Sequence, residues 1–170
     1  CIADLESGIK GFAFSSGMAA IGSLLECLQV GDHIVATDDL YGGTYRLLQH
    51  QMRRGVLDVT FVEMSDIDKV RAAIRPNTKM LWVETPTNPL LKIADLAQIG
   101  ALARTHSIWA IADNTFASPW IQRPIDYGFD AVVHSATKYL NGHSDVVGGV
   151  CVTKNELLTE KMAFIQNALG

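Results

Sequence analysis

Apolar residues run along this chain in two alternating rhythms. Short, nearly continuous apolar runs, each ended by a polar cluster, alternate with longer stretches in which apolar residues recur at helical spacing. The pattern predicts strands at 11–14, 33–36, 57–62, 79–83, 108–112, 130–134 and 148–152. Helices are predicted between them, at 18–28, 44–53, 67–74, 95–106 and 155–169. Val30-Gly31-Asp32 reads as a turn, Ser65-Asp66 as the cap of the third of these helices, and Arg75-Pro76-Asn77 as its stop. Glu84-Thr85-Pro86-Thr87-Asn88-Pro89 reads as a rigid loop, and 119–128 as a connector. Strands that are apolar throughout are buried on both faces. The alternation therefore predicts an α/β fold of three layers, with a mainly parallel mixed sheet and helices on both faces.

Open α/β sheets bind their ligands outside the carboxyl ends of the strands. Here polar clusters follow those ends: Ser15-Ser16-Gly17, the loop from Asp38 to Gly43, the loop from Glu84 to Pro89, Asp113-Asn114-Thr115, and Ser135-Ala136-Thr137-Lys138. Gly17 and Met18 open a helix whose free amides and dipole suit a phosphate; the same residues also suit an ordinary capped turn. Asp113 could pair with a protonated ring nitrogen or simply close an Asp-Asn turn. Lys138 is set between Val132-Val133 and Tyr139-Leu140, which is unusual for a solvated surface lysine. Ser135 and Thr137, two residues apart, could share one phosphate or cap a loop. Tyr41, in a glycine loop, could stack on a flat ligand or anchor the loop, and Asn88 could reach a ring oxygen or a carboxylate or serve as a turn residue. A lysine amine, an acid and clustered hydroxyls at converging strand ends are the set that pyridoxal phosphate needs.

Composition narrows the alternatives. The chain has 170 residues, 48% hydrophobic and 19% charged, enough for one domain with a core. Its net charge of −4, without a basic run, argues against nucleic acid as a partner. No stretch approaches the roughly 20 consecutive apolar residues of a membrane span, and no signal peptide is visible. Cys1, Cys27 and Cys151 are an odd count without metal-ligand spacing, so they read as free thiols in a reducing compartment, and the cytoplasm is the expected location. His134 and His143 also lack metal-ligand spacing and read as structural; no metal is expected. The chain begins at Cys1 without Met and ends directly after a helical pattern, so it reads as a domain truncated at both ends.

The segments Ser16-Gly17-Met18-Ala19-Ala20, Asp39-Leu40-Tyr41-Gly42-Gly43-Thr44, Glu84-Thr85-Pro86-Thr87-Asn88-Pro89, Asp113-Asn114-Thr115-Phe116 and Ser135-Ala136-Thr137-Lys138-Tyr139-Leu140-Asn141-Gly142-His143-Ser144-Asp145 together resemble the Cys/Met-metabolism, or trans-sulfuration, enzymes that use pyridoxal phosphate. The resemblance spans essentially the whole chain. It implies the large, cofactor-binding domain of the aspartate-aminotransferase type (fold type I), carrying most of a seven-stranded mixed sheet. By resemblance, Lys138 is the Schiff-base lysine and Asp113 the partner of the ring nitrogen. Gly17 and Met18 amides with Ser135 and Thr137 hydroxyls form the phosphate cup. Tyr41 is the stacking residue and a proton carrier to the leaving sulfur, and Asn88 and Thr115 are ring and substrate contacts.

The resemblance also implies a homotetramer of catalytic dimers, and a sulfur amino acid as substrate. A Tyr-x-Arg that reaches the neighbouring subunit is expected upstream of Cys1, and an arginine for the substrate carboxylate beyond Gly170. Within the family the sequence reads first as a cystathionine gamma-lyase. Cystathionine gamma-synthase comes next, then methionine gamma-lyase and cystathionine beta-lyase. Two other classes compete. Ser135-x-x-Lys138 matches a serine acyl-enzyme motif, but the companion S-D-N and K-T-G motifs are absent from the sequence. A non-catalytic phosphate-binding module of the same fold would share every feature except a need for the Lys138 amine.

Overall fold

The computed structural model describes residues 1–169. Seven strands form one sheet: β1 (Lys10–Phe14), β2 (His33–Thr37), β3 (Asp58–Val62), β4 (Thr78–Glu84), β5 (Trp109–Asp113), β6 (Ala131–Ser135) and β7 (Gly149–Thr153). Their order is β1-β7-β6-β5-β4-β2-β3. From β6 to β3 all neighbours are parallel, and β7 is antiparallel to both β6 and β1. The reversal at β7 makes β1 run in the same direction as the parallel strands. The carboxyl ends of β1, β2, β4, β5 and β6 therefore share one edge with the start of β7.

The inner strands β2, β4, β5, β6 and β7 are almost wholly buried because helices cover both faces, while the edge strands β1 and β3 are partly exposed. Helices α2 (Gly17–Leu25), α3 (Gly42–Arg53) and α7 (Glu156–Leu169) pack Leu24, Leu48, Leu158 and Met162 against Phe12, Trp82, Ile111 and Val133. On the opposite face α4 (Ile67–Ala73) and α5 (Leu96–His106) set Val70, Ile99 and Ala103 against Val35, Leu81, Val83 and Ala112. The short helix α1 (Ile2–Leu5) lies on that second side, against Val132 and Val152. The three-layer mixed sheet expected from the apolar rhythm is thus present. Among the described residues, no helix is long and apolar enough to cross a membrane.

Local chemistry explains the boundaries. Ser16 is extended (φ −161°, ψ 163°) and its Oγ accepts the Ala19 N–H at 3.0 Å, which starts α2. Asp66 and Asp95 cap α4 and α5 in the same way. Helix α2 ends at Leu25 rather than continuing to Leu28, because Cys27 and Leu28 donate to Leu24 and Leu25 in tighter turns, both at 3.1 Å. The connector at 119–128 carries a short helix, α6 (Ser118–Ile121), and a 3-10 turn, Pro124–Tyr127. Neither it nor α1 is long enough to show a helical period in sequence. Cys27 and Cys151 are buried in the core and Cys1 is exposed. Burial pushes the Cys27 thiol up to about 11 and raises that of Cys151 as well, so both remain protonated.

At the opposite end of the sheet His33 is fully buried between two hydroxyls, with Nδ1 2.7 Å from Thr78 Oγ1 and Nε2 2.9 Å from Thr60 Oγ1. Burial, and then the Arg75 charge, hold its pKa below the ordinary 6.5. The folded chain therefore binds this proton more weakly than the unfolded chain. The penalty is absent above the unfolded value, grows as pH falls through it, and stops growing below the folded value. We expect His33→Gln to flatten the acid-side loss of stability, read from urea unfolding at about pH 7.5 and about pH 5.5, while costing about 1–3 kcal/mol at the higher pH. A wild-type loss that persists unchanged in the variant would assign it to another group.

Candidate active site

The site is built where the start of α2 meets the ends of β1, β6 and β7. Phe14 and Ser135 both stand opposite Gly149 in the sheet register. A Cβ on Gly149 would lie 2.0 Å from the Ser16 carbonyl oxygen, and one on Gly17 would lie 2.9 Å from Ser135 Cβ and 3.2 Å from its Oγ. Only bare backbone fits at both positions. The contact presses the first turn of α2 against Ser135. The carbonyl of Ser16 takes the Ala20 N–H at 3.1 Å and its hydroxyl that of Ala19. The amides of Gly17 and Met18, the first of the helix, have no acceptor within it and belong to the cavity wall.

That wall encloses about 480 Å³ and includes Gly17, Met18, Tyr41, Asn88, Asp113, Thr115, Ser135, Thr137 and Lys138. All the site residues expected from sequence are therefore brought to one cavity, of a size usual for small ligands. Glu84, Pro86, Phe116 and Val147 also line it. Asp113 ends β5 and is buried on the same face as Ile111, towards α2. Its Oδ1 accepts the Thr115 hydroxyl at 2.6 Å and the Thr115 N–H at 3.1 Å. The Thr115 hydroxyl in turn accepts the Ser135 N–H at 2.9 Å. Thr115 thus joins the end of β5 to that of β6, which makes it a support for Asp113 as well as a wall residue. Burial pushes the Asp113 carboxyl up; the Thr115 hydroxyl and N–H, then the His134 charge, pull it down.

The Lys138 segment is a compact turn. Lys138 donates to Ser135 O at 3.1 Å, Asn141 to Ala136 O at 3.0 Å, and Gly142 to Lys138 O at 2.8 Å. Gly142, at φ 77°, takes the left-handed conformation that closes it. The lysine side chain is exposed and lies on the cavity wall, and among the described residues it makes no ion pair. Thr137 Oγ1 accepts the Gly148 N–H at 3.1 Å and donates to Gly148 O at 3.3 Å, so its hydroxyl also fastens the turn to the start of β7.

Tyr41 precedes α3, is 45% exposed and lines the cavity. A Cβ on Gly43 would stand 2.5 Å from Tyr41 Cε1 and 2.8 Å from Met18 Sδ, so a bare residue there lets the ring lie beside Met18. His134 is fully buried, with Nε2 2.5 Å from Glu6 Oε1, and the same Glu6 oxygen accepts from Asn114 Nδ2 at 2.9 Å. His143 is exposed and contacts the Asn141 carbonyl at 2.8 Å. Among the described residues, no group of three or more His, Cys, Asp or Glu could hold a metal ion.

Sequence reading missed Glu84. It is the last residue of β4, not the first of a loop, and it is 5% exposed. Its Oε2 accepts the Tyr41 N–H at 2.9 Å and its Oε1 the Asn88 N–H at 2.9 Å. It stands opposite Asp113 in the parallel register, so both carboxyls project from one face. Burial first, then the Asp113 charge, push Glu84 up to about 8, against the two main-chain N–H groups. An acid directly after an apolar run, ahead of Thr-Pro, was the available signal.

The chain is similar to known proteins over its whole length. The chain is 58% identical to a cystathionine beta-lyase of Coxiella burnetii, over 100% of this chain and 44% of that protein. It is 54% identical to a probable cystathionine gamma-synthase of Herpetosiphon aurantiacus, over 100% of this chain and 53% of the other. With a cystathionine gamma-lyase of Bacillus subtilis it shares 52% identity, over 99% and 45%. The crystal structure of cystathionine gamma-lyase from Lactobacillus plantarum complexed with L-serine superposes with a TM-score of 0.96 at 50% identity, covering 99% of this chain and 44% of that one. The chain spans about half the length of the curated relatives it matches. The profile of the Cys/Met metabolism PLP-dependent enzymes matches residues 1–170, and the chain belongs to that family.

Proposed function

We propose that this chain is the cofactor-binding large domain of a carbon–sulfur lyase that eliminates the gamma-substituent of L-cystathionine or a related sulfur amino acid, releasing cysteine, 2-oxobutanoate and ammonia. The observation that carries the reading is the joint presence of Lys138 and the buried Asp113 on one cavity wall, beside the open amides of α2. This donor set fits pyridoxal phosphate. Main-chain N–H groups and the Ser135 hydroxyl suit its phosphate, a buried carboxyl suits its ring nitrogen, and an amine suits its aldehyde. When bound, the cofactor supplies an aldehyde that captures amines and a cationic ring that accepts electrons from the adjacent carbon.

The residues would then work as follows. Lys138 would hold the aldehyde, and its Nζ, once freed by the substrate amine, would be the base for the α-proton. Asp113, held in place by Thr115, would keep the ring nitrogen protonated. Tyr41 would stack on the ring and pass a proton towards the leaving sulfur, and Asn88 would orient the ring oxygen or the substrate carboxylate. The free buried thiols are in keeping with a cytoplasmic enzyme. Large exposed apolar side chains, among them Leu90, Ile93, Trp120 and Ile121, support a homotetramer of catalytic dimers as the working form.

Beta-elimination is the second reading, favoured by the 58% identity to a cystathionine beta-lyase. Product analysis separates the two with the full-length enzyme and cystathionine. Cysteine and 2-oxobutanoate are the expected products. Homocysteine and pyruvate would assign beta-elimination, and turnover only with an O-acylhomoserine and cysteine would assign gamma-replacement. Borohydride reduction of the enzyme with pyridoxal phosphate, followed by peptide mapping, is expected to label the Lys138 peptide. A label on another lysine of the folded protein would remove Lys138 from its role. Asp113→Asn is expected to lower turnover by about 100-fold or more, with smaller change in cofactor content, because an amide cannot hold the ring cation. Turnover close to wild type would remove Asp113 from that role.

A further inference from the structure

We propose that Glu84 is the positioning residue of this site: its carboxyl group grips the Tyr41 loop and the Asn88 loop at once and so sets both side chains at the cavity wall. The inference rests on the pyridoxal phosphate reading and extends it to a residue that contacts loops rather than reacting atoms.

Three features carry it. The grip is bidentate, with Tyr41 N–H shared by both oxygens at 2.9 and 3.2 Å and Asn88 N–H on Oε1 at 2.9 Å. The grip is also rigid at its base, because β4 holds the Glu84 backbone and the Thr37 hydroxyl accepts the Glu84 N–H at 3.0 Å. Finally, the two loops are already joined at the rim without Glu84. Thr87 Oγ1 donates to Asp39 Oδ2 at 2.5 Å, Leu90 N–H to the same oxygen at 2.9 Å, and Lys92 pairs with Asp38 at 2.9 Å. Tethering the loops to each other therefore does not require a buried acid beside Asp113. What the rim contacts leave undetermined is the depth of Tyr41 and Asn88 in the cavity, and Glu84 fixes that. The burial and like-charge cost that pushes this carboxyl up is large for a residue that only fills space. A glutamine has a single acceptor oxygen at this place. Its amide would face an N–H with another N–H: with the oxygen kept on Asn88, the Tyr41 loop would retain only the longer 3.2 Å contact.

The test uses the full-length apoenzyme, titrated with pyridoxal phosphate and followed by visible circular dichroism of the bound cofactor. Glu84→Gln is expected to weaken cofactor binding by about tenfold, with thermal unfolding of the apoenzyme little changed. In a Tyr41→Ala/Asn88→Ala background the same substitution is expected to cost less than about twofold, since the groups it positions are gone. An unchanged affinity in the single variant, or an equal loss in both backgrounds, overturns the inference. If Glu84→Gln does not fold, Glu84→Asp, which keeps the charge but not the reach, is put through the same cycle with the same criteria. A wild-type enzyme that binds no pyridoxal phosphate would instead overturn the functional reading.

Discussion

Everything at the working end of this molecule depends on one close approach of backbone to backbone. The Ser16 carbonyl sits where Gly149 would carry a side chain, and Gly17 sits against Ser135. With no side chain on either glycine, the first turn of α2 can rest on the ends of β6 and β7. That contact turns an ordinary capped helix start into one wall of a cavity. It also aligns the exposed amides of the helix with the hydroxyl of Ser135, which no single element could do alone.

The second constraint is electrostatic. Two carboxyls, Glu84 and Asp113, end adjacent parallel strands on the same face and are both buried. Burial opposes the charged form of each, and the Asp113 charge makes Glu84 harder still to ionise. The chain answers with main-chain N–H groups and hydroxyls. Thr115 serves Asp113, and the Tyr41 and Asn88 amides serve Glu84. The same hydrogen bonds tie loops to strand ends, so the groups that temper the carboxyls also order the cavity wall. Charge solvation and positioning are one network here.

Lys138 stands at the other limit. Its side chain is exposed, but its backbone lies in a hydrogen-bonded turn fastened to β7 through Thr137 and Gly148. A flexible side chain on a fixed turn suits the amine role proposed for Lys138. The buried Glu6–His134–Asn114 cluster supports this edge from beneath, since Asn114 and His134 directly follow Asp113 and precede Ser135 in the chain.

By itself the sequence determined the alternation of elements, the layered α/β class, and the polar clusters that end the strands. Those properties are encoded within windows of a few residues: apolar period, capping side chains and turn glycines. The family to which the chain belongs was legible for that reason, as was the convergence of Lys138, Asp113, Ser135 and Tyr41 on one cavity. Tertiary structure alone decided the strand order and the reversal at β7, because crossovers join strands far apart in sequence. It also decided that Thr115 binds Asp113, that Thr137 binds Gly148, and that Glu6 reaches a histidine on β6. Glu84 could not be assigned from its neighbours. Its role comes from partners 43 residues before it and 4 after it, and from facing Asp113 across a parallel pair, which only the packed sheet brings together.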